Sequence, residues 1–160
     1  MSSELKTHWL IRVKDGKNFK NSVYPFWDMK RGRNGCIKTV VMKIKKGDIL
    51  WFFTSKEYGG QIIGMAEYTE FFDRQDEPLI KIRTITNIEQ GWDNINESDL
   101  QIYYTNLYIT ERQNIKICIQ NSATILKYDT FKSKIKDNLE EHYKNFIFYA
   151  EPIKLKNLPN

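Results

Sequence analysis

The apolar positions are densest between residues 45 and 72, where two short hydrophobic runs lie on either side of a Gly-Gly pair. The first run covers residues 49–53, and the second begins at Ile62, after Gly59 and Gly60. Short apolar runs separated by a glycine-containing turn are typical of a β-hairpin. Gly64, inside the second run, predicts a place where the strand bends or another part of the chain approaches closely. We therefore expect a small, curled β-barrel at the centre of the fold.

Further elements follow from the spacing of apolar residues on both sides of this hairpin. Alternation predicts a first strand, and a period of three to four residues predicts a short amphipathic helix before the hairpin. The predicted strands are residues 5–13, 79–88, 100–109, 115–119 and 146–149, and the predicted helices are residues 36–46 and 128–143. Residues 17–35 break the pattern and are expected to form a long loop. The chain is predicted to be one domain over residues 1–150, with residues 151–160 as a tail.

Composition adds limits to this picture. The chain has 160 residues, of which 41% are hydrophobic, and no apolar segment approaches the 18 residues of a membrane-spanning helix. Its N-terminus lacks the apolar core of a secretion signal, so we expect an intracellular protein with no membrane partner. The two cysteines and two histidines do not have the spacing of a metal site, and no phosphate-binding glycine loop occurs. No catalytic residue, metal or cofactor is therefore predicted.

Charge is distributed unevenly along the chain. Residues 1–60 carry 13 Lys and Arg against 5 Asp and Glu, whereas residues 61–114 carry 4 against 10. A basic segment of this kind is typical of proteins that bind nucleic acid, although lysine-rich faces are often only solvated surface. The sequence therefore favours RNA or DNA as a partner without choosing between them.

The predicted loop at residues 17–35 combines aromatic and basic side chains. Tyr24, Phe26 and Trp27 lie in it, and a further tryptophan, Trp92, lies in a later polar segment. Aromatic rings stack on unpaired bases, and nearby Lys and Arg neutralise phosphates. These four residues are our candidates for base binding, and the candidates for phosphate binding are Lys30, Arg31, Arg33 and Lys38. The structural alternative is that Phe26 and Trp27 close the open end of the barrel as core residues.

The order of elements resembles the EVE domain, a member of the PUA-like superfamily that is related to YTH domains. The strongest similarity is in residues 43–53, which contain the Gly47-Asp48 turn and the first central strand, and in residues 60–67, which contain the second. This resemblance implies an α+β fold: a small PUA-like β-barrel of five or six strands, flanked by two or three helices.

The resemblance also implies a function, the recognition of RNA or DNA through a flipped or modified base held in an aromatic cage. Trp27 occupies a position similar to that of a cage tryptophan in YTH domains, and Trp92 is expected to form a second wall. Related ASCH-type barrels imply an alternative, a nuclease or small-molecule amidohydrolase. A protein-interaction module that uses the acidic residues 61–114 is a third hypothesis.

Overall fold

The computed structural model describes residues 6–73, 85–93, 100–110, 115, 124–135 and 138–158. Seven strands lie within these residues: β1 (His8–Arg12), β2 (Phe26–Met29), β3 (Ile49–Phe53), β4 (Ile62–Asp73), β5 (Leu100–Ile109), β6 (Ile125–Lys127) and β7 (Glu151–Pro152). The α-helices are α1 (Lys17–Asn21), α2 (Cys36–Val41), α3 (Asn87–Gln90), α4 (Tyr128–Phe131) and α5 (Leu139–Tyr149). Short 3₁₀ turns cover Arg33–Gly35, Lys56–Tyr58 and Lys132–Lys134.

All seven strands belong to one mixed sheet, with the order β2-β5-β4-β3-β1-β6 and with β7 paired to β5. β1 and β3 are parallel, and the other pairs are antiparallel. The two end strands contribute to the same buried cluster, β2 through Met29 and β6 through Ile125. The sheet therefore curls around that cluster as a partial barrel, and the predicted α+β fold class is confirmed.

The central hairpin is confirmed as β3 and β4. All five residues of β3 are buried, because its two faces pack against different clusters: Leu50 and Phe52 face the interior of the curl, whereas Trp51 faces the outside. The chain reverses through a 3₁₀ turn that ends at Gly59 and Gly60, both with positive φ. The predicted strands at residues 5–13 and 100–109 are confirmed as β1 and β5.

Gly64 allows an aromatic side chain to lie directly on β4. A Cβ atom at this position would come within 2.7 Å of the ring of Phe19 on α1. The Phe19 ring is buried and stacks on Phe52, with 4.3 Å between centroids. The close approach expected at Gly64 is therefore made by a side chain. The packing of Phe19 fixes α1 inside the curl of the sheet.

The outer face of β1, β3 and β4 is covered by α4 and α5. One helix was predicted over residues 128–143; the structure has helix at both ends of this range, as α4 and α5, but not one continuous helix. The strand predicted over residues 146–149 is wrong, because these residues belong to α5. Ile135 has extended backbone dihedrals and ends the first helical segment, and the Asn138 side chain caps a new helix by accepting from the Glu140 amide. The second helix runs to Tyr149 because Phe146 packs against Trp51 on the sheet.

The remaining predicted segments agree only in part with the observed strands and helices. Residues 17–35 form α1 and β2 in addition to loop structure, because β2 pairs with the distant β5. The predicted helix at residues 36–46 is present as the shorter α2. A strand was predicted at residues 79–88, of which residues 79–84 lie outside the described part of the chain. Residues 87 and 88 belong instead to the helix α3, whose N-terminus is capped by the Thr86 side chain. Of the predicted strand at residues 115–119, only residue 115 is described.

No helix in the described ranges is both long and apolar enough to cross a membrane.

Candidate nucleic-acid interface

β2 places two of the predicted base-binding residues on an end strand of the sheet. Phe26 is opposite Tyr103 of β5, and Trp27 is opposite Ile102. Side chains alternate between the two faces of a strand, so these two rings point to opposite sides. Phe26 is 1% exposed and belongs to a cluster on the outer face. Trp27 is half-buried, and its ring contacts Phe19 edge-to-face with 6.2 Å between centroids.

Trp92 packs against both of these rings. Its ring centroid is 5.5 Å from that of Phe26 and 5.2 Å from that of Trp27, and both contacts are edge-to-face. The indole Nε1 donates a hydrogen bond to Ser22 Oγ at 2.9 Å, and Trp92 is 6% exposed. This burial is not visible in the local sequence, because the Ser22 partner is 70 residues away along the chain.

The spacing of Trp27 and Trp92 determines how a base can approach. A base stacked on two sides needs ring planes about 7 Å apart, which is twice a van der Waals separation. The two indoles are in direct contact at 5.2 Å and 66°, so no base fits between them in this arrangement. The surface available for stacking is the exposed part of Trp27. Tyr24, which is half-buried three residues before Trp27, lies beside it in the chain.

The side chain of Gln90 holds the segment that carries these aromatic residues. Its Oε1 accepts from the amides of Val23 (3.1 Å) and Tyr24 (2.6 Å), and its Nε2 donates to the carbonyls of Tyr24 (2.9 Å) and Phe26 (3.0 Å). Gln90 is 0% exposed, so these bonds do not compete with water. A side-chain amide has this donor and acceptor capacity. It fixes the backbone at the start of β2, and no sequence motif indicates this role.

The predicted phosphate-binding residues form two pairs. Lys30 and Arg33 are exposed in the loop between β2 and α2. Arg31 and Lys38 instead reach the carboxylate of Asp73 at the end of β4, with Arg31 Nε and Lys38 Nζ at 3.1 Å and 2.7 Å from Asp73 Oδ2. The four cations and this carboxylate together carry a net charge of +3.

Asp73, the last residue of β4, is buried although it begins a run of polar residues in the sequence. The carboxylate is 3% exposed, and a buried charge of this kind is tolerated only when opposite charges compensate for its lost hydration. Arg31 and Lys38 supply that compensation. The ion pairs hold the basic loop at the end of β4.

Gly32 and the start of α2 shape the basic loop itself. Gly32 has φ +83°, and a Cβ atom there would lie 2.9 Å from the Ile37 backbone nitrogen. Its lack of a side chain allows the Arg31 carbonyl to accept hydrogen bonds from the amides of Ile37 and Lys38. The loop is therefore anchored both by backbone bonds and by the ion pairs at Asp73.

Within the described ranges, no three His, Cys, Asp or Glu side chains are grouped so that they could hold a metal ion. His8, the more buried histidine, lies in the outer cluster of aromatic rings, where its Nδ1 accepts a hydrogen bond from Trp51 Nε1 at 2.9 Å. This position is remote in the fold from the basic loop.

No protein-family model matches the sequence, and no curated protein is significantly similar to it. Among solved structures, the chain is similar to a Pseudomonas putida protein, with a TM-score of 0.45 and 12% identity over 75% of this chain and 90% of that one. It is also similar to the YTH domain of Zygosaccharomyces rouxii MRB1 in complex with N6-methyladenosine RNA, with a TM-score of 0.43 and 11% identity over 94% and 92% of the two chains. A third similarity is to human THYN1 in complex with DNA containing 5-methylcytosine, with a TM-score of 0.37 and 14% identity over 88% and 80%. By themselves, likenesses with TM-scores below 0.5 establish neither a family nor a function.

Proposed function

We propose that the protein is a PUA-like module of the EVE type that binds single-stranded or locally opened RNA or DNA. In this proposal one unpaired base stacks on the exposed part of Trp27, and Tyr24 extends the stacking surface. Trp92 contacts the Trp27 ring edge-to-face, and Phe26 packs against Trp92 in turn. The observation that carries the proposal is a half-buried tryptophan on β2 that precedes, by a few residues in the chain, a basic loop held in place by ion pairs at Asp73.

The energetics of this arrangement are adequate for a binding module. Stacking of one base on an aromatic ring contributes about 1–3 kcal/mol. Lys30 and Arg33 are exposed, so they can neutralise phosphates without first breaking a buried ion pair. Arg31 and Lys38, held by Asp73, keep a positive potential at a fixed distance from the indole. Together these groups bind a backbone and one base, which suits a strand whose bases are accessible.

We further propose that the bound base is modified or flipped out of a duplex. Removing a base from its stack costs a few kcal/mol and costs least for damaged or single-stranded bases. A methyl group adds apolar area against the Trp27 ring and, where it brings positive charge, adds a cation–π attraction. Comparison of methylated and unmethylated oligonucleotides of one sequence tests this finer proposal separately from binding itself.

The principal experiment measures the affinity of labelled single-stranded RNA and DNA by fluorescence anisotropy at two salt concentrations. We expect Trp27→Ala to weaken binding about tenfold, which corresponds to one lost stacking contact. Tyr58→Ala is the matched control, because Tyr58 is an aromatic residue that is 53% exposed on the turn between β3 and β4. Circular dichroism melting of each variant checks that the fold survives.

A second variant tests the phosphate contacts. The double substitution Lys30→Ala and Arg33→Ala removes two exposed cations and should reduce the slope of log affinity against log salt by about two. Lys43→Ala with Lys46→Ala removes two exposed lysines from the turn after α2 and is the charge-matched control. Equal slopes in the two double variants would show that the basic loop does not contact phosphates.

A further inference from the structure

Asp73 lies at the end of the sheet, in line with the point where the basic loop begins. It is opposite Leu100 of β5, and Leu100 is in turn opposite Met29 of β2. Neighbouring strands are about 4.8 Å apart, so the Asp73 backbone lies roughly 10 Å from that of Met29. The chain leaves β2 after Met29 and enters the basic loop. Arg31 therefore has to reach across the end of β5 to contact this carboxylate.

The Asp73 carboxylate holds the chain on both sides of the basic loop. Arg31 near the start of the loop and Lys38 in α2 contact the same oxygen, Asp73 Oδ2, at 3.1 Å and 2.7 Å. Hydrogen bonds from the amides of Ile37 and Lys38 to the Arg31 carbonyl close the loop but are internal to it. The two ion pairs instead join the closed loop to β4. Arg33 lies between these two contacts along the chain, so they restrict its position.

These ion pairs are largely shielded from water. The Asp73 side chain is 3% exposed, and those of Lys38 and Arg31 are 15% and 29% exposed. Because buried and partly buried charge pairs are screened by salt much less than exposed pairs, the contacts persist at salt concentrations that weaken surface contacts. Arg31 and Lys38 therefore anchor the loop. Lys30 and Arg33 are exposed and can contact phosphates.

We infer that Asp73 is a positioning residue for nucleic acid, and that it strengthens the binding of a polyanion although it carries a negative charge itself. This inference rests on the proposed function. Ordering a loop and its long side chains during binding reduces affinity, and Asp73 orders the basic loop before a strand arrives. Its charge opposes binding only weakly, because two cations neutralise it in a buried site. A residue that acted through its charge alone would weaken the binding of phosphates.

Asp73→Asn tests the sign of this effect in the anisotropy assay, with the labelled single strand that the unaltered protein binds most tightly. We expect the affinity to fall about fivefold to tenfold. Glu57→Gln is the charge-matched control, because it removes one exposed carboxylate from the turn between β3 and β4, and it should leave the affinity unchanged. Phe146→Leu is the stability control, because it weakens the buried cluster outside β3 and does not alter the basic loop.

Lys38→Met provides a second test that leaves Asp73 paired with Arg31. We expect it to weaken binding severalfold without changing the slope of log affinity against log salt, because Lys38 acts through Asp73. A lysine that contacted a phosphate would instead lower the slope by about one when removed. Lys38→Arg should retain most of the affinity, since an arginine also pairs with a carboxylate.

The outcomes separate this inference from the proposed function. If the unaltered protein binds no RNA or DNA, both are overturned. If Trp27→Ala weakens binding as proposed but folded Asp73→Asn binds as tightly as the unaltered protein, or more tightly, only the positioning role of Asp73 is wrong. An equal loss of affinity in Asp73→Asn and Phe146→Leu also overturns this role, as does a lower salt slope in Lys38→Met. Lys38→Met decides alone if Asp73→Asn does not fold.

Discussion

Substitution of Gly64 by alanine tests the packing that joins the core to the interface. The new Cβ atom would lie 2.7 Å and 2.8 Å from two ring atoms of Phe19 and 3.3 Å from the Tyr108 carbonyl oxygen. Phe19 cannot move away easily, because its ring is 1% exposed and stacked on Phe52 at 4.3 Å. The new methyl group therefore overpacks the interior of the curled sheet.

Two terms of opposite sign determine the size of this effect. Overpacking a core typically costs about 1–3 kcal/mol, and contacts with two ring atoms and a carbonyl oxygen place Gly64→Ala near the upper end. Replacing a glycine inside a strand recovers about 0.5–1 kcal/mol of chain entropy. We expect a net loss of about 2 kcal/mol in the free energy of unfolding. For a domain of this size, that lowers the melting temperature by about 4–8 °C.

A double-mutant cycle with Phe19→Leu identifies the cause. Chemical denaturation followed by circular dichroism gives the free energy of unfolding for the four proteins. Because leucine lacks the two ring atoms that the Cβ atom would meet, Gly64→Ala should be nearly neutral in the Phe19→Leu background. A coupling energy of at least about 1 kcal/mol is expected for residues in direct contact. An equal loss in both backgrounds would refute the assignment of Phe19 as the obstructing neighbour.

Further predictions concern the residues that hold the interface and the outer core. Gln90→Leu should lower the free energy of unfolding by about 2–4 kcal/mol, because it removes the four hydrogen bonds that the buried side-chain amide makes to the backbone of residues 23–26; a loss below about 0.5 kcal/mol in chemical denaturation would contradict this role. Burial lowers the pKa of His8 from 6.5, so the folded state favours the neutral ring that accepts from Trp51. Its contribution to stability is complete above about pH 6.5 and is lost as the pH falls from there through the folded-state pKa. His8→Phe should therefore reduce the loss of stability between pH 7.5 and pH 5.5 in urea titrations, and an unchanged loss would assign the effect to other groups.

Local patterns in the sequence were sufficient for the strands that build the centre of the fold. The hairpin of β3 and β4, the first strand and β5 each have uninterrupted apolar runs or clear alternation. β2 was missed because its four residues follow Pro25 in a segment rich in loop-forming residues. Its strand conformation depends on pairing with β5, which is more than 70 residues away. Pairing over such a distance is not visible in the local pattern.

The candidate interface likewise combines residues that local sequence patterns indicated with residues whose roles depend on distant parts of the chain. Trp27 and the basic loop were selected as candidates from the sequence, because their residue types and proximity along the chain are typical of nucleic-acid binding. It did not indicate that Asp73 would be buried between Arg31 and Lys38, or that Gln90 would bond to the backbone before β2. Both are polar side chains whose burial is possible only with partners from distant parts of the chain. Their roles follow from tertiary structure alone.

The most direct test of the proposed function is the binding of a single-stranded oligonucleotide to Trp27→Ala and Tyr58→Ala, measured by anisotropy at low salt. The proposal predicts salt-sensitive binding that is about tenfold weaker in Trp27→Ala and unchanged in Tyr58→Ala, with both variants folded. Equal affinities for the two folded variants, or no binding of RNA or DNA by the unaltered protein, would contradict it.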